Sequence, residues 1–250
     1  MNLATSKTVR ELALEIPGAT RVFENLGIDY CCGGMQRLDV ACNIAGVTVE
    51  HVMNLMEQAN GSHTESEEPN FLTATLAELI GHIVEKHHVF TKSEIARLRA
   101  LIEKVHGAHG KNHPELTEVC DLFKALGDEL EPHMMKEERV LFPYVVQMED
   151  AMRRERTHPY PPFGTVANPV RMMMLEHEDA GALLDQMRKV TANYRIPADA
   201  CISYQTLYEA LDAFEKNLHQ HIHLENNILF PRAVEMEGAT RGVSSTVREG

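Results

Sequence analysis

Residues 133–143 read HMMKEERVLFP and residues 221–231 read HIHLENNILFP. Aligned on the final proline, both follow H-x-x-x-E-x-x-x-L-F-P, with an offset of 88 positions for every matched residue. A single H-x-x-x-E is common on surface helices. Two copies, each in register with Leu-Phe-Pro, point to an internal repeat. On a helix, His and Glu four apart lie about 40° from each other around the axis, and the leucine four further on continues the stripe. A chain built this way must turn a histidine and a carboxylate inward on two helices, on the same face as its apolar residues.

The remaining periodicity supplies the other helices of such a fold. From Phe71 onward four long helical patterns follow one another. The first spans about 72–106, with Ile80, Ile83, Ile95, Leu98 and Ile102 at helical spacing. The second spans about 115–147, with Pro132 expected to kink it just before His133. The third spans about 170–193 and the fourth about 198–234. With no convincing strand pattern, the expected class is all-α, a four-helix bundle. Ahead of it, residues 1–60 carry four short helical patterns and read as a small helical domain containing cysteines. Residues 61–70 (GSHTESEEPN) read as a linker and 71–250 as the bundle.

Two carboxylates buried face to face would repel, and each would resist ionisation. Buried charges persist when they are paired or bind metal, and a pair of divalent ions supplies the missing positive charge. The other two helices then owe ligands as well. The third offers His177, in MLEHEDAG. Shifted back by the repeat offset, it lands beside His87 and His88 in HIVEKHHVF. His87 continues the stripe of Ile80 and Ile83, whereas His88 is rotated about 100° from it; spacing alone leaves the two open. Four histidines and two glutamates suit a carboxylate-bridged pair of iron or manganese ions. Other histidines have simpler readings: His106, His109 and His113 as solvated loop residues, His219 and His223 as pointing away from His221, and His158 in an irregular crossover. Met134, Met135 and Met172–Met174 read as core filler.

A net charge of −13 over 250 residues argues against nucleic acid or a membrane surface as partner. No apolar run approaches a membrane span, and the N-terminal residues do not form a signal peptide, so a cytoplasmic protein is expected. Five cysteines, an odd number with Cys31 and Cys32 adjacent, argue against a disulfide framework. In DYCCGG, Gly33 and Gly34 are expected to give backbone geometry closed to other residues. They would expose Cys31 and Cys32 at a turn, with a helix N-terminus lowering a thiol pKa. The competing reading is a pair of buried packing residues.

Taken together, HMMKEERVLFP, HIHLENNILFP, EHEDAG and ELALEIPGATRVFENLGIDYCCGG resemble the iron-sulfur cluster repair di-iron (RIC) family, of the YtfE and ScdA type. The resemblance covers nearly the whole chain. It implies a hemerythrin-like bundle preceded by a small CCGG domain. It implies two non-haem irons, bridged by Glu137 and Glu225 and by an oxo group. It also decides the first-helix ligand. The family pattern has a histidine followed six positions later by a second histidine with an aromatic before it. His82 and His88 match, and His87 stands where the aromatic would be. The implied metal ligands are therefore His88, His133, Glu137, His177, His221 and Glu225, with Cys31 and Cys32 as thiols for transfer or redox work.

The function so implied is repair of iron-sulfur clusters damaged by nitrosative or oxidative stress, by supplying iron. The partners are then damaged iron-sulfur proteins, with nitric oxide or O2 as a small ligand; oligomerisation, a homodimer included, is left open. An enzymatic alternative is reduction of nitric oxide to nitrous oxide at the di-iron site. A third is a carrier or sensor of NO or O2.

Overall fold

The computed structural model describes residues 7–61, 70–156 and 160–246. The linker expected at 61–70 and His158 fall almost wholly outside the described residues. Every regular element among the described residues is helical; an isolated antiparallel bridge joins Thr8 to Arg37.

Contacts divide the chain into two units. The first joins the residues up to Thr75 with His219–Pro231; the second holds Leu76–Leu218 and the residues from Arg232 on. Four short helices open the first unit: α1 (Val9–Glu15), α2 (Ala19–Leu26), α3 (Leu38–Ala45) and α4 (Val49–Gly61). Thr8 caps α1 in a reciprocal box: its hydroxyl accepts from the Glu11 N–H, and the Glu11 carboxylate accepts from the Thr8 N–H at 2.7 Å. Gly27 and Gly46 end α2 and α3 at φ 66° and 71°, the left-handed conformation open to glycine at low cost. Val9, Leu12, Phe23, Leu38, Val52 and Met56 form the core of these helices.

In the second unit, α5 (Leu76–His82) and α6 (Val89–His109) form one helical run, joined by a π turn at Ile83–His88. The next run is α7 (Glu115–Lys136), a π turn at Glu137–Leu141 and α8 (Phe142–Arg153). Helix α9 (Ala167–Val190) stands alone. The last run is α10 (Ile202–Leu224), a π turn at Glu225–Leu229 and α11 (Phe230–Thr246). His219–Pro231, grouped with the first unit, is thus the middle of a helix whose two ends lie in the second. Helix α7 packs on α6 and α9, and α5 on α8. Phe123 of α7 meets Phe214 of α10 edge to face at 5.5 Å, and Arg188 of α9 donates to the buried Glu215 of α10 at 2.8 Å. The Glu149 carboxylate on α8 accepts the Leu76 and Ala77 N–H groups, closing the N-terminus of α5.

The expected methionine filler needs correction. Met134 and Met173 are buried, but Met135, Met172 and Met174 are exposed. Neighbours in sequence point about 100° apart on a helix, so a methionine run cannot all face one core.

Candidate metal centre

The repeated motif has a local meaning that spacing alone did not show. In each copy the glutamate opens a π turn, which the phenylalanine closes: the Phe142 N–H donates to the Glu137 carbonyl, and the Phe230 N–H to the Glu225 carbonyl. Pro143 and Pro231 come next. Proline has no N–H to return to the α ladder, and its ring crowds the carbonyl four residues back. A π turn, with its i→i+5 bond, fits that displacement, and such turns cluster at functional sites.

The third π turn, over Ile83–His88, changes the helical phase at positions 87 and 88. One extra residue in the turn advances the helical phase by about 100°. The face that carries Ile80 and Ile83 therefore arrives at His88 rather than His87. Two groups of donor atoms share this place: His88, Glu137, His221 and Glu225, and His133, Glu137, His177 and Glu225, each with all its donor atoms within 4.8 Å of one another. All six side chains are buried. Glu137 and Glu225 belong to both groups.

Glu137 Oε2 lies 3.4 Å from both His88 Nε2 and His133 Nε2. His177 Nε2 is 3.0 Å from His133 Nε2, and His221 Nε2 is 3.0 Å from Glu225 Oε1. Donors bound to one cation at about 2.1 Å stand about 3.0 Å apart at octahedral and about 3.4 Å at tetrahedral edges. The residues present therefore fit a metal on donor chemistry as well as on spacing. Imidazole nitrogens and carboxylate oxygens crowd together away from water, an arrangement that a cation relieves.

Two further residues complete the arrangement. The Nδ1 atoms of His88 and His133 lie 2.7 Å from Glu138 Oε1 and Glu176 Oε2 respectively. With a carboxylate accepting at Nδ1, the proton sits there and Nε2 keeps its lone pair for the centre. Each glutamate is held in turn by a lysine: Lys92 on Glu138 at 2.5 Å, and Lys136 on Glu176. Burial pushes both carboxyls up, but the bonds from lysine and histidine outweigh it and leave both below the usual carboxylate range. The sequence reading passed over Glu138 and Glu176. Their signal was adjacency: each stands beside a candidate ligand, in the pairs Glu137-Glu138 and Glu176-His177.

The asparagines of HIHLENNILFP reach the CCGG turn. Asn227 Nδ2 donates to the Tyr30 carbonyl at 2.9 Å, and Asn226 Nδ2 to the Cys31 carbonyl at 3.2 Å. Inside the turn, the Asp29 carboxylate accepts the N–H groups of Cys31, Cys32 and Gly33 at 3.0, 2.9 and 2.8 Å. Asp29, Cys31 and Cys32 also bring their donor atoms within 4.8 Å of one another. Two expectations are corrected here. Neither Gly33 nor Gly34 has positive φ; both are needed for space, since a Cβ on Gly33 would sit 3.0 Å from Asp29 Oδ2 and one on Gly34 3.0 Å from Asn227 Oδ1. Cys31 is buried rather than displayed. Its thiol is pushed well above the ordinary range, first by the hydrogen bond with Cys32 and then by burial.

The remaining histidines divide. His219 and His223 do point elsewhere, to Glu24 at 3.0 Å and to Asn227 at 2.9 Å. Burial takes His223 down to about 4. His106, His109 and His113 are half-buried and bonded rather than solvated. His109 Nε2 lies 3.1 Å from Cys201 Sγ, and His113 bridges Asp199 and Glu115. Loop composition suggested solvent, but the approach to α10 folds back over this end of α6.

Fold and site together define a helical-bundle metal protein with a buried histidine–carboxylate centre. The profile of the hemerythrin HHE cation binding domain matches residues 79–233, and that of a domain of unknown function (DUF542) matches residues 5–60. A probable iron-sulfur cluster repair protein of Haemophilus influenzae is 34% identical over 94% of this chain and 99% of its own length. The iron-sulfur cluster repair protein YtfE of Musicola paradisiaca is 34% identical over 92% of this chain and 97% of its own. That of Salmonella schwarzengrund is 34% identical over 91% and 96%. The chain belongs to this family of iron-sulfur cluster repair proteins, built on a hemerythrin domain. No helix among the described residues is long and apolar enough to cross a membrane.

Proposed function

We propose that this protein repairs iron-sulfur clusters damaged by nitrosative or oxidative stress by supplying them with iron, within the cytoplasm. The observation that carries the reading is the pair of donor groups sharing Glu137 and Glu225. It supports two non-haem irons with both carboxylates between them, His88 and His221 on one side and His133 and His177 on the other. The relatives' printed names support damaged iron-sulfur proteins as the recipients.

When bound, the iron pair supplies labile ferrous ions and one-electron chemistry. The chain's own residues set how tightly such ions are held. Glu138 and Glu176 keep the Nδ1 protons of His88 and His133 in place, so that each Nε2 presents its lone pair. Lys92 and Lys136 hold those glutamates as carboxylates. The apolar wall, including Phe142 stacked on His88 at 5.7 Å, excludes water. Cys31 and Cys32, with Asp29, offer thiol and carboxylate donors suited to receiving iron in transit.

The test uses the full chain, purified anaerobically. It should contain close to two irons and restore activity to a cluster enzyme inactivated by NO, with iron passing to the acceptor. Cys31→Ser/Cys32→Ser should keep its iron and lose repair. Undiminished repair in the folded double variant would remove the thiols from the scheme. Nitrous oxide production with no iron transferred would replace repair by NO reduction.

A further inference from the structure

His82 and His87 meet because the helix between them is not an α-helix. In an α-helix, residues five apart point about 140° from each other. The π turn at Ile83–His88 adds a residue and stacks position i over i+5. The two imidazoles accordingly lie with centroids 5.6 Å apart and planes at 67°. His87 is buried and His82 half-buried, so the pair runs from the surface inward. His87 Nδ1 lies 3.2 Å from Asn217 Oδ1. An amide oxygen only accepts, so the proton sits on Nδ1 and Nε2 keeps its lone pair.

We propose that His82 and His87 form a second, weaker binding site for a divalent first-row cation, separate from the six-residue centre, with water completing the coordination. The ring separation suits it. With metal–nitrogen bonds of about 2.1 Å, each centroid stands about 3.2 Å from the ion, and centroids 5.6 Å apart subtend about 120° there. Imidazole suits iron, zinc, copper and nickel alike. Glu78, four residues before His82 on the same helical face, adds negative charge on the approach. Asn217 stands four residues before His221 on α10, about 6 Å along the axis. The pair is thus placed to stage iron on its way to or from the centre; this role, though not the site itself, rests on the function proposed above.

Equilibrium dialysis of the metal-stripped full chain against Co2+ tests the site. The chain should bind one weak equivalent that His82→Ala and His87→Phe bind at least tenfold more weakly, with unchanged circular dichroism. That equivalent should persist in Glu137→Leu/Glu225→Leu, in which the centre is lost. Equal stoichiometry and affinity in the parent, His82→Ala and His87→Phe would overturn the site. For the role, ferrous iron release to a chromogenic chelator should be at least threefold slower from His82→Ala than from the parent at equal starting iron. Equal release rates would overturn staging. A parent chain that binds no iron at its centre would instead sink the function proposed above, while the cobalt titration would still decide the histidine pair.

Discussion

The Arg10 guanidinium donates to the carbonyl of Asn227, from Nε at 3.2 Å and from Nη2 at 2.9 Å. That carbonyl lies four residues before Pro231, which has no N–H to offer it. An arginine at the start of α1 therefore occupies the acceptor that the proline leaves open, and the gap in the helix ladder becomes a tether. Arg10→Ala should cost about 1.5–3 kcal/mol, the range for a hydrogen bond to a charged group. Urea denaturation of the metal-free chain measures it, and a change under 0.5 kcal/mol, roughly that of an ordinary surface substitution, would count against the tether.

Glu137 and Glu225, shared by both donor groups, should each be needed for metal binding. Glu137→Leu should lose most of the iron, read by elemental analysis. The helical fold should survive the change, read by circular dichroism, since apolar packing supplies most of a bundle's stability. Full iron retention in both Glu137→Leu and Glu225→Leu would end the bridging assignment.

The carboxylates behind the histidines should be nearly as consequential as the ligands. Glu138→Ala and Glu176→Ala each leave a ligand's Nδ1–H without its acceptor, and affinity should fall about 10–100-fold. Competition with a chelator of known affinity gives the number. His88→Leu should likewise impair iron binding far more than His87→Leu, and the reverse order would remove His88 from the ligand set.

His113 gives a pH signature at the loop end of the bundle. Its pKa is raised, first by the bond to Asp199 and next by that to Glu115, and Asp199 is lowered mainly by the same His113 bond. A raised histidine stabilises fully below its unfolded pKa of about 6.5 and loses that contribution as pH rises through the folded value. The aspartate's share disappears as pH falls through its depressed value. The difference in melting temperature between the parent and Asp199→Asn should therefore be largest below about pH 6.5, while Asp199 stays ionised, and shrink as pH rises through the raised histidine value. A difference independent of pH would show that the contact is not ionic.

The cysteines should separate by reactivity. Cys201 is exposed and has His109 beside it, while Cys31 is buried with its thiol pushed up. Iodoacetamide at pH 7.5 should label Cys201 first and Cys31 among the last, resolved by peptide mass spectrometry. Early labelling of Cys31 in the native chain would contradict its burial.

Much of this protein was determined by local sequence. The repeated H-x-x-x-E-x-x-x-L-F-P set two helices and turned a histidine and a carboxylate inward on each, because positions four apart on a helix share a face. Thr8 with Glu11, and Gly27 and Gly46, set where short helices begin and end through backbone groups a few residues away. What lay beyond the sequence involved a third dimension. The phase that favours His88 over His87 comes from a π turn, because one added residue rotates the face and a 3.6-residue period cannot register it. Glu138 and Glu176 acquired their role only when neighbouring helices brought them to His88 and His133. Gly33 and Gly34 owe their identity to Asp29 and Asn227 closing on them, not to backbone φ. Local pattern follows from rotation about one axis, whereas these contacts depend on which side chains other segments bring within about 3 Å, and packing alone decides that.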